Sequence, residues 1–188
     1  MRTIIDVGAA GFPNGNENYI KGDRVLLFEP IDKAYNVLVD KYKNDNKVTV
    51  YNLALSDTKG KATFYNTTKD NCSSLREPNG EVLLQRNRAD IAEYTTTTVE
   101  TDFLDNYTKD LDRVDFLKLD TQGSEYEVLK GGLETLAKTK KLKVEVEFDQ
   151  WYKGQKIAPE VDEFIKSLGF KRYKTRKLDH HADYYYTR

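Results

Sequence analysis

The sequence predicts an α/β protein: a doubly wound, mostly parallel sheet with helices on both faces. Three observations carry that expectation. Short apolar, β-rich runs alternate with stretches of helical periodicity. Several of those runs, "VLLF" and "FLKL" among them, are apolar at nearly every position, as strands buried between two helix layers must be. The chain then ends on two extended segments in succession, "FKRYKTR" and "ADYYYTR". These read as a hairpin and place one reversed strand near the end of the sheet.

In chain order, the main strands are expected at Thr3–Val7, Arg24–Glu29, Val48–Leu53, Phe116–Asp120 and Leu142–Phe148. "KAYNVLVDKYKN" repeats Tyr35, Leu38, Val39 and Tyr42 at helical spacing. "SEYEVLKGGLETLAK" does the same with Tyr126, Leu129, Leu133 and Leu136, and Gly131-Gly132 divides it into two helices. Pro159 opens a last helix through Leu168, and Gly169 stops it. "KATFYN" and "TTTTVETDFL" read as extended segments inserted between the third and fourth main strands, separated by the polar stretch Thr67–Glu93.

A chain of 188 residues suits one domain, expected to span residues 1–188, and can bury a sizeable core. A net charge of −1 gives no overall attraction to nucleic acid or an anionic membrane, so neither is an expected partner. The basic stretch Lys138, Lys140, Lys141 and Lys143 reads as a solvated helix end. One cysteine, Cys72, precludes an internal disulfide and suits a reducing compartment. The first strand reaches Asp6 before any long apolar run builds, which leaves no signal peptide or membrane span to expect. Cytoplasm is the expected location.

The opening "IIDVGAAGFPNG" turns the first strand into a glycine-rich loop, where a doubly wound sheet places its ligands. Its glycines, Gly8, Gly11 and Gly15, miss the spacing of the dinucleotide fingerprint. "VLLFEP" ends in Glu29, where a carboxylate can accept both hydroxyls of a ribose in either a nicotinamide or an adenosyl-methionine site.

"IIDVGAAG", "LLFEP", "NLALSD", "DFLKLDTQGSEYEVLKGG", "VEVEF" and "IKSLGF" occur in an order that resembles the FkbM-type S-adenosylmethionine-dependent methyltransferases, over about Ile4 to Phe170. The resemblance implies a class I methyltransferase (Rossmann-like) fold of seven strands, order 3-2-1-4-5-7-6 with the seventh antiparallel, and S-adenosyl-L-methionine as cofactor. It implies that Asp6, Gly8, Ala9 and Gly11 line the methionine portion. Glu29 with Pro30 would take the ribose, Leu53 and Ala54 would flank the adenine, and Asp120 would face the sulfonium. The loop departs from the family's usual DVGANxG, with Ala10 in place of asparagine. Only two residues precede the first strand, so an N-terminal substrate lid is expected to be absent or supplied by another polypeptide.

Methyl transfer needs an acceptor held in line with the methyl group and, for a hydroxyl, somewhere for its proton to go. Asp120 stands at a strand's carboxyl end and is the leading catalytic candidate; the alternative is that it only orients the turn Thr121-Gln122-Gly123. Glu145 and Glu147 share one face of the fifth strand, and Glu147, nearer its carboxyl end, is the second catalytic candidate. Glu125 either caps the following helix or takes part in the site. No metal is expected at "DHHAD", because neighbouring His180 and His181 on a strand point to opposite faces. Trp151 and Tyr152, just past the fifth strand, are packing residues or a stacking surface for the acceptor. The expected reaction is O-methylation of a sugar, glycan or small-molecule hydroxyl. The alternatives are a nicotinamide-dependent oxidoreductase and a cofactor-binding module without turnover.

Overall fold

The computed structural model describes residues 1–9 and 23–188. Among them, ten strands form two sheets. The larger contains β1 (Thr3–Val7), β2 (Arg24–Phe28), β3 (Val48–Tyr51), β7 (Phe116–Leu119), β8 (Lys141–Glu147), β9 (Lys171–Lys177) and β10 (His181–Thr187). Its order is β3-β2-β1-β7-β8-β10-β9. All neighbours run parallel except β10, which is antiparallel to both β8 and β9. The closing hairpin is therefore where the sequence places it.

Helices cover both faces. α1 (Asp32–Tyr42) links β2 to β3 and sets Leu38 against Ile4, Val25 and Leu27. On the other face lie α3 (Glu125–Lys130), α4 (Leu133–Ala137) and α5 (Ala158–Ser167). They bury Val128, Leu129, Leu136, Val161 and Ile165 against Leu117, Leu119, Val144 and Val146. Gly131-Gly132 separates α3 from α4, and Gly169 ends α5 with φ +89°. At the start of α5 the Glu160 carboxylate accepts from the Ile157 N–H at 3.1 Å, satisfying one of the free donors of the first turn.

The smaller sheet comes from the insertion. β4 (Ala54–Leu55), β5 (Gly60–Thr67) and β6 (Tyr94–Asp102) lie in the order β4-β6-β5. The stretch Thr67–Glu93, expected to be only polar, contains α2 (Gly80–Gln85). This helix offers little periodic signal because Leu83 is its buried residue, packed with Cys72, Ile91, Trp151 and Tyr152. The basic stretch is also corrected: α4 stops at Ala137, and Lys141 and Lys143 belong to β8, where Lys143 pairs with Asp183 at 2.9 Å. No helix among the described residues is long and apolar enough to cross a membrane.

Candidate active site

The site forms where β1, β2 and β7 end together. Gly8 has φ +77°, and its N–H and that of Ala9 both donate to the Phe28 carbonyl at 3.1 Å. A Cβ on Gly8 would stand 1.8 Å from the Asp120 carbonyl oxygen. The glycine is therefore demanded by the protein's own backbone, since any side chain would push the end of β7 away from the end of β1. Ala9 packs with Val25 and Leu27. Gly11 lies outside the described residues.

A cleft opens above these strand ends. Gly8 of the β1 end, Glu29 and Pro30 of the β2 end, Leu53 to Leu55, Asp120 of the β7 end and Glu145 of β8 line it. Phe64 and Leu75 of the insertion line it as well. Glu29 is buried, and its Oε1 accepts from the Ile31 N–H at 2.9 Å. Of the residues expected at the cofactor, Gly8, Glu29, Pro30, Leu53, Ala54 and Asp120 line this cleft. Asp6 does not: it is 1% exposed and held by Lys118 Nζ at 3.1 Å, directly opposite in the β1–β7 register.

Asp120 sits in a dense polar network. Lys118 Nζ lies 3.3 Å from its Oδ2, and Gln122 Nε2 donates to its Oδ1 at 3.0 Å. The same Gln122 Nε2 donates to Glu145 Oε2 at 2.6 Å. Gln122 adopts φ +57°, unusual for a residue with a side chain and costly unless the surroundings enforce it. Here they do. Its carbonyl accepts from Ser74 Oγ at 2.6 Å. Its Oε1 shares the Tyr152 hydroxyl, at 3.2 Å, with the Cys72 carbonyl at 2.8 Å.

The two carboxyl groups are driven apart electrostatically. Burial, reinforced by Asp120 and Glu147, pushes Glu145 up to about 10, so that it is a neutral acid hydrogen-bonded to Asp120. Burial also works against charge on Asp120, but the Lys118 ammonium and the hydrogen bonds from Glu145 and Gln122 outweigh it and hold it below the usual carboxylate range. One acid and one carboxylate thus face each other at the end of the cleft. The His181 ring follows, its Nε2 3.4 Å from Glu145 Oε1. Burial lowers its basicity.

Glu125 and Glu147 lie deeper. Glu125 Oε1 accepts from the Thr121 N–H at 2.6 Å and its hydroxyl at 3.0 Å, and Oε2 from the Gly123 N–H at 3.0 Å. It thereby ties the whole β7–α3 turn, with its own pKa raised by burial to about 7. Gly123, at φ +94°, leaves room for the Tyr152 ring, which a Cβ would meet at 2.8 Å. Glu147, the second catalytic candidate from its place nearer the carboxyl end of the strand, does not line the cleft: it is 4% exposed and accepts from Gln155 Nε2 at 2.8 Å. The loop after β8 folds back over the strand's last residues, so Glu145 is the β8 carboxyl on the cleft wall. Tyr152 is wholly buried, and Trp151 packs with Leu83 and Ile91.

A seven-stranded sheet in this order, with one reversed strand and a cleft over its carboxyl ends, is the class I methyltransferase fold. Residues 6–172 match the methyltransferase FkbM domain, and the chain belongs to that family. It is 26% identical over 140 residues to the 2-O-methyltransferase NoeI of Sinorhizobium fredii, covering 70% of this chain and 57% of that protein. It thus spans little more than half the length of this curated relative. The fold also superposes on the magnesium protoporphyrin IX methyltransferase of Synechocystis PCC 6803 with bound SAM, at TM-score 0.53 and 11% identity over 98% of this chain and 69% of that one. Fibrillarin from Aeropyrum pernix, with natively bound S-adenosyl-L-methionine, superposes at TM-score 0.50 and 11% identity over 99% and 66%.

Proposed function

We propose that this protein binds S-adenosyl-L-methionine in the cleft and transfers its methyl group to a hydroxyl of a sugar, glycan or small molecule, with Asp120 taking the proton. The observation that carries this reading is that Glu29 at the end of β2 and Asp120 at the end of β7, the two strands that flank β1, line one cleft together with apolar Leu53 to Leu55. The donor set fits the cofactor: a carboxylate for a ribose diol, an aliphatic wall for a flat base, and an open floor at Gly8. Ser124 adds a buried hydroxyl on the cleft wall without a hydrogen-bond partner among the described residues.

When bound, this cofactor supplies an electrophilic methyl group, leaving the protein to align the acceptor and receive its proton. Asp120 is suited to that role because Lys118 keeps it ionised while Glu145 stays protonated. Gln122 fixes both carboxyl groups at once, so the base does not have to reorganise as the oxygen attacks. The family match supports methyl transfer over the nicotinamide alternative, and the 2-O-methyltransferase relative favours an oxygen acceptor. Transfer of labelled methyl to a panel of sugars and glycans tests the reading. Asp120→Asn is expected to lower kcat by about 10²–10⁴-fold while leaving S-adenosylhomocysteine affinity within threefold of wild type, or roughly 0.7 kcal/mol. Full activity in that variant would contradict the assignment of the base.

A further inference from the structure

A second groove lies at the amino ends of β1, β7 and β8, the opposite end of the large sheet from the cleft, and shares no residue with it. Ile4 and Phe116, partners in the β1–β7 register, give it apolar surface together with Tyr185 of β10. Four cations and one carboxylate line it as well, whereas the whole chain has a net charge of −1. The protein itself matches two of these five. Arg2 pairs with Asp23 at 2.5 Å, and Asp115 accepts from the Thr3 N–H at 2.9 Å and pairs with Arg113 at 2.9 Å. The other three, Lys140, Lys141 and Lys174, have no ion-pair partner among the described residues. Lys174 Nζ lies 4.9 Å from the centre of the Tyr185 ring, which holds the ammonium in place without neutralising it. Lys143, further along β8, has Asp183; the start of the same basic stretch has no such carboxylate.

The edge strand is irregular at this groove. Tyr185 pairs with Lys174 and the next residue, Tyr186, with Arg172, so Tyr173 stands in a bulge. Neighbours in a regular strand face opposite sides of the sheet, and a bulge re-aims one of them. Here Tyr173 and Lys174 both line the groove. Tyr173 is 55% exposed, and its ring lies 6.3 Å from that of Tyr185 between centroids. Lysines on an edge strand deter pairing with another chain, which accounts for Lys174. It accounts neither for an exposed aromatic ring nor for the two lysines at the start of β8, an interior strand.

We infer that this groove binds a nucleotide, its phosphate received by Lys140, Lys141 and Lys174 and its base stacked on Tyr173. Three ammonium groups unmatched by carboxylates call for a ligand with several negative oxygen atoms. An exposed ring beside them takes a flat base of any sequence by stacking. A free nucleotide and a nucleotide within a single strand bring the same chemistry to the groove. The inference does not depend on the methyltransferase reading, because the groove and the cleft have no residue in common.

Titration calorimetry of the full chain with uridine 5′-monophosphate, uridine, inorganic phosphate and a short oligouridylate tests this, with and without excess S-adenosylhomocysteine to fill the cleft. The uracil base avoids the adenine expected there. The monophosphate, the oligouridylate or both are expected to bind equally well in either condition, and more tightly than uridine or phosphate by at least about fivefold. Lys174→Gln and Tyr173→Ala, both on the exposed edge strand, are each expected to weaken that binding at least about threefold. Tighter binding of the oligouridylate, with a steeper fall in added salt, identifies a single strand as the source. Affinity no better than that of the monophosphate identifies the free nucleotide. The proposal would be overturned by no binding of either probe, by phosphate binding as tightly as both, by displacement with S-adenosylhomocysteine, or by an affinity indifferent to both substitutions. Affinity for S-adenosylhomocysteine itself reports separately on the methyltransferase reading.

Discussion

The two faces of β7 and β8 are built from alternate residues of the same strands and do opposite things. One presents Leu117, Leu119, Val144 and Val146, all at most 1% exposed and packed beneath α3 to α5. The other presents Lys118, Glu145 and Glu147, with Asp120 just beyond β7, all close to the strands' carboxyl ends. The apolar face gains stability from every methylene it buries. The polar face carries charges and protons that burial opposes, held only because each has a partner. A period of two separates stability from chemistry within a span of a few residues.

Substitutions on each face separate the two roles. The largest effect is expected at Lys118, whose ammonium serves both Asp6 and Asp120. Lys118→Met leaves two carboxylates without their shared cation and is expected to cost about 3–5 kcal/mol, measured by urea unfolding. On the opposite face, Leu119→Ala is expected to cost about 2–5 kcal/mol through lost burial and a residual cavity, with S-adenosylhomocysteine affinity unchanged in the folded protein. An equal loss of binding in both variants would erase the distinction between the faces.

Glu145, on the polar face, carries a smaller effect that depends on pH. Its carboxyl keeps its proton in the folded state up to about 10, whereas the unfolded chain releases it near 4.5. This group's contribution to stability is therefore complete below the unfolded value and is lost progressively as pH rises toward 10. Glu145→Gln keeps a neutral donor in the same place and has no proton to lose. Relative to wild type it is expected to gain about 1–3 kcal/mol between pH 5 and pH 8, read from unfolding midpoints at each pH. A difference independent of pH would mean that Glu145 is ionised in the folded protein.

Much of the fold was legible because its signals are local and periodic. The apolar runs at Ile4–Val7 and Phe116–Leu119, the Gly131-Gly132 break and the closing hairpin each depend on residues adjacent in sequence. The site was legible where a strand end delivers a side chain to the cleft, as with Glu29 and Asp120. It was not legible where distant segments decide. Gln122 acquires its role from Ser74 and Tyr152, 48 and 30 residues away in the chain. Strand spacing alone favoured Glu147 over Glu145, and only the return of the loop to Gln155 reverses that order. Lys118 passes in the sequence as one polar position in a strand, and becomes the common counter-ion only when β1 and β7 pair.

Calorimetric titration with S-adenosylhomocysteine is the measurement that decides whether the cleft between Glu29 and Asp120 is an adenosyl-methionine site. Wild type is expected to bind with micromolar affinity, and Glu29→Ala to weaken binding by about 1–3 kcal/mol through loss of the ribose acceptor. No binding by folded wild-type protein, or an affinity untouched by Glu29→Ala, would contradict it.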